Sequence, residues 1–109
     1  MATLKQKVHA TLTDARLTHF RTDDDGVARY TKWVNYTVRD DGSQNHLYLV
    51  VDVYPLADGD AINVWVDKLY EADAKKSFSE SMGNGFIHKT IHDDYYEIEF
   101  LRQVLYHAG

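Results

Sequence analysis

Hydrophobic and polar positions alternate most regularly between Arg29 and Tyr54, in two runs separated by Asp40-Asp41-Gly42. A period of two separates the sides of a strand. One side of the first run reads Tyr30, Lys32, Val34, Tyr36, Val38, and the other Arg29, Thr31, Trp33, Asn35, Thr37, Arg39. The second run divides into Leu47, Leu49, Val51, Val53 against His46, Tyr48, Val50, Asp52, Tyr54. Opposed residues of a hairpin share a face, so a register pairing Val38 with Leu47 joins the two apolar sides. The face behind them is then polar, yet it carries Trp33, Tyr48 and Tyr54.

The same period returns after Pro55 and the Asp58-Gly59-Asp60 turn, where Ile62, Val64 and Val66 alternate with Asn63, Trp65 and Asp67. Trp65 again stands on the polar side. From Asp67 the spacing changes: Tyr70, Ala74, Phe78 and Met82 recur every four residues. That spacing predicts an amphipathic helix from Asp67 to Met82, capped by Asp67 and terminated by Gly83-Asn84-Gly85. Phe86 to His92 is short and β-branched and predicts a strand. Asp94 followed by Glu97 has the spacing of a capping box, ahead of an Ile98, Leu101, Leu105 stripe. A C-terminal helix over 95–107 follows, with a strand as the alternative because Tyr96, Ile98 and Phe100 also alternate.

Residues Lys7 to Thr22 carry a mixed signal. Leu4, Val8, Leu12 and Ala15 share a helical stripe, but Leu17 and Phe20 fall off it. The threonines and the Val8, Ala10, Leu12 alternation favour a strand bulged near Asp14-Ala15. Asp23-Asp24-Asp25-Gly26 then forms a turn, since aspartate bonds its own backbone and glycine accepts positive φ. The sum is one α+β domain over 1–109: an antiparallel meander of four or five strands with one or two helices on one face. An OB-like barrel is the alternative closure of the same elements.

Composition narrows the chemistry more than the architecture. With 44% hydrophobic residues in 109, one core can form. Without cysteine, disulfides, thiolate metal sites, iron–sulfur clusters and cysteine nucleophiles are excluded. No run approaches the roughly 20 apolar residues of a membrane span, so no membrane partner is implied and a cytoplasmic location is the expectation. Residues 1–51 hold seven Lys and Arg against six Asp and Glu, and residues 52–109 hold five against eleven. The acidic second half disfavours nucleic acid as a partner.

Motif-like spacings fail on their chemistry. His88 and His92 would lie on one side of a helix at roughly 6 Å, but four residues of strand span about 13 Å, too far to chelate one ion. Gly83 to Thr90 resembles a phosphate-binding loop but has His88 where glycine is needed. A calcium loop with Gly26 at its sixth position would begin at Arg21 and end at Lys32, where carboxylates are required. No serine has a nucleophile elbow around it. No cofactor, metal site or catalytic group is therefore assigned. The remaining candidate is the aromatic-polar sheet face: Trp33, Tyr48, Tyr54 and Trp65, with Arg29, Asn35 and Arg39. Tryptophan and tyrosine on such a face suit a protein partner or self-association. Two other functions use neighbouring residues: a single-stranded nucleic-acid binder stacking bases on Trp33, Tyr48 and Trp65, and a small ligand or enzyme pocket around His46 and Asp52.

Overall fold

Five strands run in sequence order across one antiparallel sheet: β1 (Thr18–Thr22), β2 (Ala28–Val38), β3 (Gln44–Pro55), β4 (Ala61–Tyr70) and β5 (Ile87–His92). This computed structural model describes residues 2–57, 59–81 and 87–108. The expected antiparallel meander and α+β class are observed, and the sheet does not close into a barrel. Gly26 and Gly42 take φ of 87° and 86° at the first two hairpin turns, a conformation that glycine adopts without a Cβ penalty. The expected glycine terminator 83–85, Met82, Phe86 and Asp58 lie outside the described residues.

The first element corrects the strand expected from Lys7. Residues Leu4–Asp14 form helix α1, and only Thr18–Thr22 is strand. Thr3 caps the helix: its hydroxyl accepts from Gln6 N at 3.2 Å, and Gln6 Oε1 accepts from Thr3 N at 2.9 Å. The threonines that argued for a strand bond back along the helix instead, Thr11 to Lys7 O and Thr13 to His9 O. At the far end Leu17 N donates to Leu12 O and Arg16 N to Thr13 O, with Arg16 at φ 69°. This is a Schellman closure with arginine at the position glycine usually holds.

Helix α1 and the C-terminal helix α4 (Tyr95–Ala108) lie on one face of the sheet. Leu4, Val8, Leu12, Leu101 and Leu105 from the helices meet Leu49, Val51, Val64, Val66 and Ile91 from the sheet in one core. Burial of these apolar side chains is the main force holding helices to strands. Asp94 caps α4 through Tyr96 N and Glu97 N. Glu97 does not return the bond to Asp94. It accepts from the backbone N–H of His92 and lies 2.9 Å from His92 Nδ1.

The helix expected over Asp67 to Met82 is also corrected. Strand β4 runs on through Tyr70, pairing Lys68 with Leu49, Leu69 with Tyr48 and Tyr70 with Leu47. Asp67 caps nothing: its carboxylate accepts from the adjacent Lys68 N. Two single turns follow, α2 (Glu71–Ala74) and α3 (Phe78–Ser81), and these cross the opposite face of the sheet.

Candidate functional site

Pairing across the sheet arranges the second face in rows. Arg29, Asp52, Trp65 and His88 form one row, Trp33, Tyr48 and Leu69 another. Four residues of β2 separate the rows, about 13 Å along the strand. The register is not the one expected. Trp33 pairs with Tyr48 and Val38 with Gln44, with a bulge at Val34 between Trp33 and Asn35. Up to the bulge the two faces divide as the alternation predicts. Beyond it, every residue changes side.

The bulge decides which residues join Trp33. Tyr36 now pairs with His46, on the Trp33 face, and Asn35 pairs with Leu47 on the other. The Trp33 ring lies 6.4 Å from Tyr36 and 5.4 Å from His46, and His46 lies 6.5 Å from Tyr48. Asn35 therefore leaves the face on which it was expected, but it still holds Trp33. Its backbone carbonyl accepts from Trp33 Nε1 at 2.8 Å, and its side chain accepts from Tyr36 N. Trp33 remains 55% exposed and Tyr36 45%.

The other row is covered. Arg29, expected among the partner-binding residues of this face, is 2% exposed. Its Nε and Nη2 donate to the two oxygens of Asp52 at 2.8 and 3.0 Å. Its Nη1 donates to Ala74 O and Lys76 O, and Nη2 also reaches Ser81 Oγ at 2.7 Å. One guanidinium thus ties strand β2 to β3 and to the whole 74–81 segment, as a planar five-donor group can. Asp23 adds a second tie by accepting from Phe78 N. Burial pushes the Asp52 carboxyl above its ordinary value, against the opposing pull of Arg29. Trp65 lies beneath this crossing segment, 4.6 Å from the Phe78 ring and stacked on His88 at 4.7 Å with planes 5° apart.

The remaining expected residues separate from both clusters. Tyr54 pairs with Asn63 at the opposite end of β3 and lies against the Gly26 turn. Arg39 is spent on its own turn, donating to Ser43 Oγ, Gln44 O and Asn45 Oδ1. Sequence reasoning missed Phe20, the bulge residue of β1, which borders a pocket of about 160 Å³ with Thr31, Tyr48, Glu71, Ala74 and Lys75. Its off-stripe position was the only signal.

Among the described residues no cluster of three or more His, Asp or Glu could hold a metal ion, and no helix is long and apolar enough to cross a membrane. Comparisons with protein-family models, with curated proteins and with solved structures find no match to this chain.

Proposed function

We propose that the chain is a small noncatalytic docking module that takes a protein partner on the open end of the second sheet face. Trp33 is its anchor, with Tyr36, His46 and Tyr48 around it. The observation that carries this reading is the state of Trp33. Its single polar atom is already bonded to the Asn35 carbonyl, so its exposed surface is apolar ring. Such a rigid aromatic group, half out of its own protein, gains most by entering another. The Phe20–Tyr48 pocket beside it has room for about one apolar side chain of a partner.

Less supports the other two functions. Arg29 and Arg39, which would hold phosphates in a nucleic-acid binder, are committed to Asp52 and to a hairpin turn. His46 and Asp52 lie six residues apart on one strand, about 20 Å, and so cannot converge on one ligand. The docking reading is tested by Trp33→Ala. Folding should survive, read by circular dichroism and urea midpoint, while partner capture is lost. Loss of fold in this variant would assign Trp33 to the core and end the proposal.

A further inference from the structure

On the helix-covered side of the sheet, away from the docking face, a cleft of about 430 Å³ lies between the end of α1, α4 and β2. Arg16 lines it from the turn after α1, Lys32 from β2, and Arg102 from α4. Leu105, buried, and Tyr106, exposed, add apolar surface. Asp14 is the one acid among the lining residues, and its carboxylate lies 3.7 Å from Arg102 Nη1. Arg102 is also shared with Glu99.

The chain carries 17 Asp and Glu against 12 Lys and Arg, so a cation without a counter-charge is the exception. Among the described residues, only the side chains of Lys5, Arg16, Lys32 and Lys68 have no hydrogen bond, ion pair or ring contact. Two of these line this one cleft. Lys32 is half-buried and pairs with Leu49, itself fully buried, so its charge stands on the apolar side of the sheet without a carboxylate. Arg16 gives an independent sign. At φ 69° its backbone takes a conformation that penalises a Cβ and suits glycine. Backbone energy alone favours glycine there, and what arginine adds is a guanidinium at the cleft.

We propose that this cleft binds a small phosphate monoester with an apolar body. Arg16 and Lys32 supply two positive charges, close to the charge that such an ester carries near neutral pH with the opposite sign. A monocarboxylate would leave one of them unmatched. A guanidinium donates two parallel N–H bonds to phosphate oxygens, and an ammonium adds a point charge. Leu105 and Tyr106 receive the apolar body. The volume falls within the roughly 300–1,000 Å³ of small-ligand clefts.

The test is NMR titration of the full chain with phenyl phosphate at low ionic strength, beside Arg16→Gly, Lys32→Met and Lys5→Met. Wild type should bind saturably, with amide shifts centred on Arg16, Lys32 and Leu105. Arg16→Gly and Lys32→Met should each weaken binding about tenfold or more, the loss of a charge-assisted contact. Arg16→Gly should also melt at a higher temperature, because glycine takes the same φ without penalty, so its loss of binding is not a loss of fold. Lys5→Met removes an equal charge from the exposed face of α1 and should bind as wild type does. Benzoate and inorganic phosphate should each bind more weakly than phenyl phosphate. Absence of saturable binding by wild type overturns the site and leaves Arg16 as a cation at the α1 C-terminus. Equal weakening by Lys5→Met overturns it in favour of diffuse charge. Inorganic phosphate bound as tightly as phenyl phosphate overturns the role of the apolar surface, and benzoate bound as tightly overturns the phosphate.

Discussion

Two ends of one sheet face, built from the same kinds of residue, meet opposite fates. At the Arg29–Asp52–Trp65 row, the chain after β4 returns across the face and seals it. At the Trp33–Tyr48 row, Trp33 stays open with Tyr36 exposed beside it, while Tyr48 and His46 are half-buried. Composition does not separate the two, since each has a tryptophan with polar neighbours. What separates them is one arginine whose donors match the carbonyls of the crossing segment. A buried ion pair is a poor source of net stability compared with apolar side chains, so its use here is positional: it sets where the segment crosses.

Removing that arginine should therefore produce the largest effect. Arg29→Ala leaves Asp52 buried without its partner and Ala74 O and Lys76 O without a donor, a loss of about 3–5 kcal/mol by urea denaturation. Arg29→Lys should recover little, because an ammonium cannot bind both oxygens of Asp52 and the carbonyls at once. Arg29→Met combined with Asp52→Leu should be more stable than Arg29→Ala alone. If the two single changes simply add, the pair is not a unit and the contrast between the ends loses its cause.

A direct comparison of the two indoles comes next. Trp65→Ala removes a ring packed between Phe78 and His88 and should cost about 2 kcal/mol, less than the loss of a fully buried tryptophan. Trp33→Ala should cost under about 0.5 kcal/mol, as expected for an exposed side chain. Equal costs would erase the distinction between a covered and an open end. Phe78→Ala sharpens it at smaller expense: Trp65 emission should shift to longer wavelength while Trp33 quenching stays unchanged.

The legible parts of this fold are those fixed by short-range period. Leu49, Val51, Ile62, Val64 and Val66 declare their face because one side of each strand is buried, and Trp33 and Tyr48 follow from the same alternation. The bulge at Val34 carries no glycine or other marker, so Tyr36 and Asn35 were assigned to each other's sides. Helix α1 hid behind threonines whose hydroxyls bond preceding carbonyls, and behind a closure by Arg16 where glycine would have announced an end. The burial of Arg29 depends on carbonyls at Ala74 and Lys76, far along the chain, which no local pattern encodes. Local signals thus located the anchor of the open end but not the clasp of the covered one.

The smallest expected effect compares one carboxylate from each end. Asp41, at the tip of the β2–β3 hairpin, is held below its ordinary value of 3.8, first by the Ser43 hydroxyl and then by the Ser43 backbone N–H. A depressed acid stabilises the fold above its unfolded value and loses that contribution as pH falls through the folded one. Asp52, whose carboxyl burial pushes above 3.8, has the opposite sign. Its cost to folding is absent below 3.8 and develops as pH rises from there through its folded value. Carbon-detected NMR titration of the two side chains should place Asp41 below 3.8 and Asp52 above it. An Asp52 midpoint as low as that of Asp41 would mean that the bidentate pull of Arg29 outweighs the cost of burial, so that this ion pair adds to stability as the pH rises instead of opposing it.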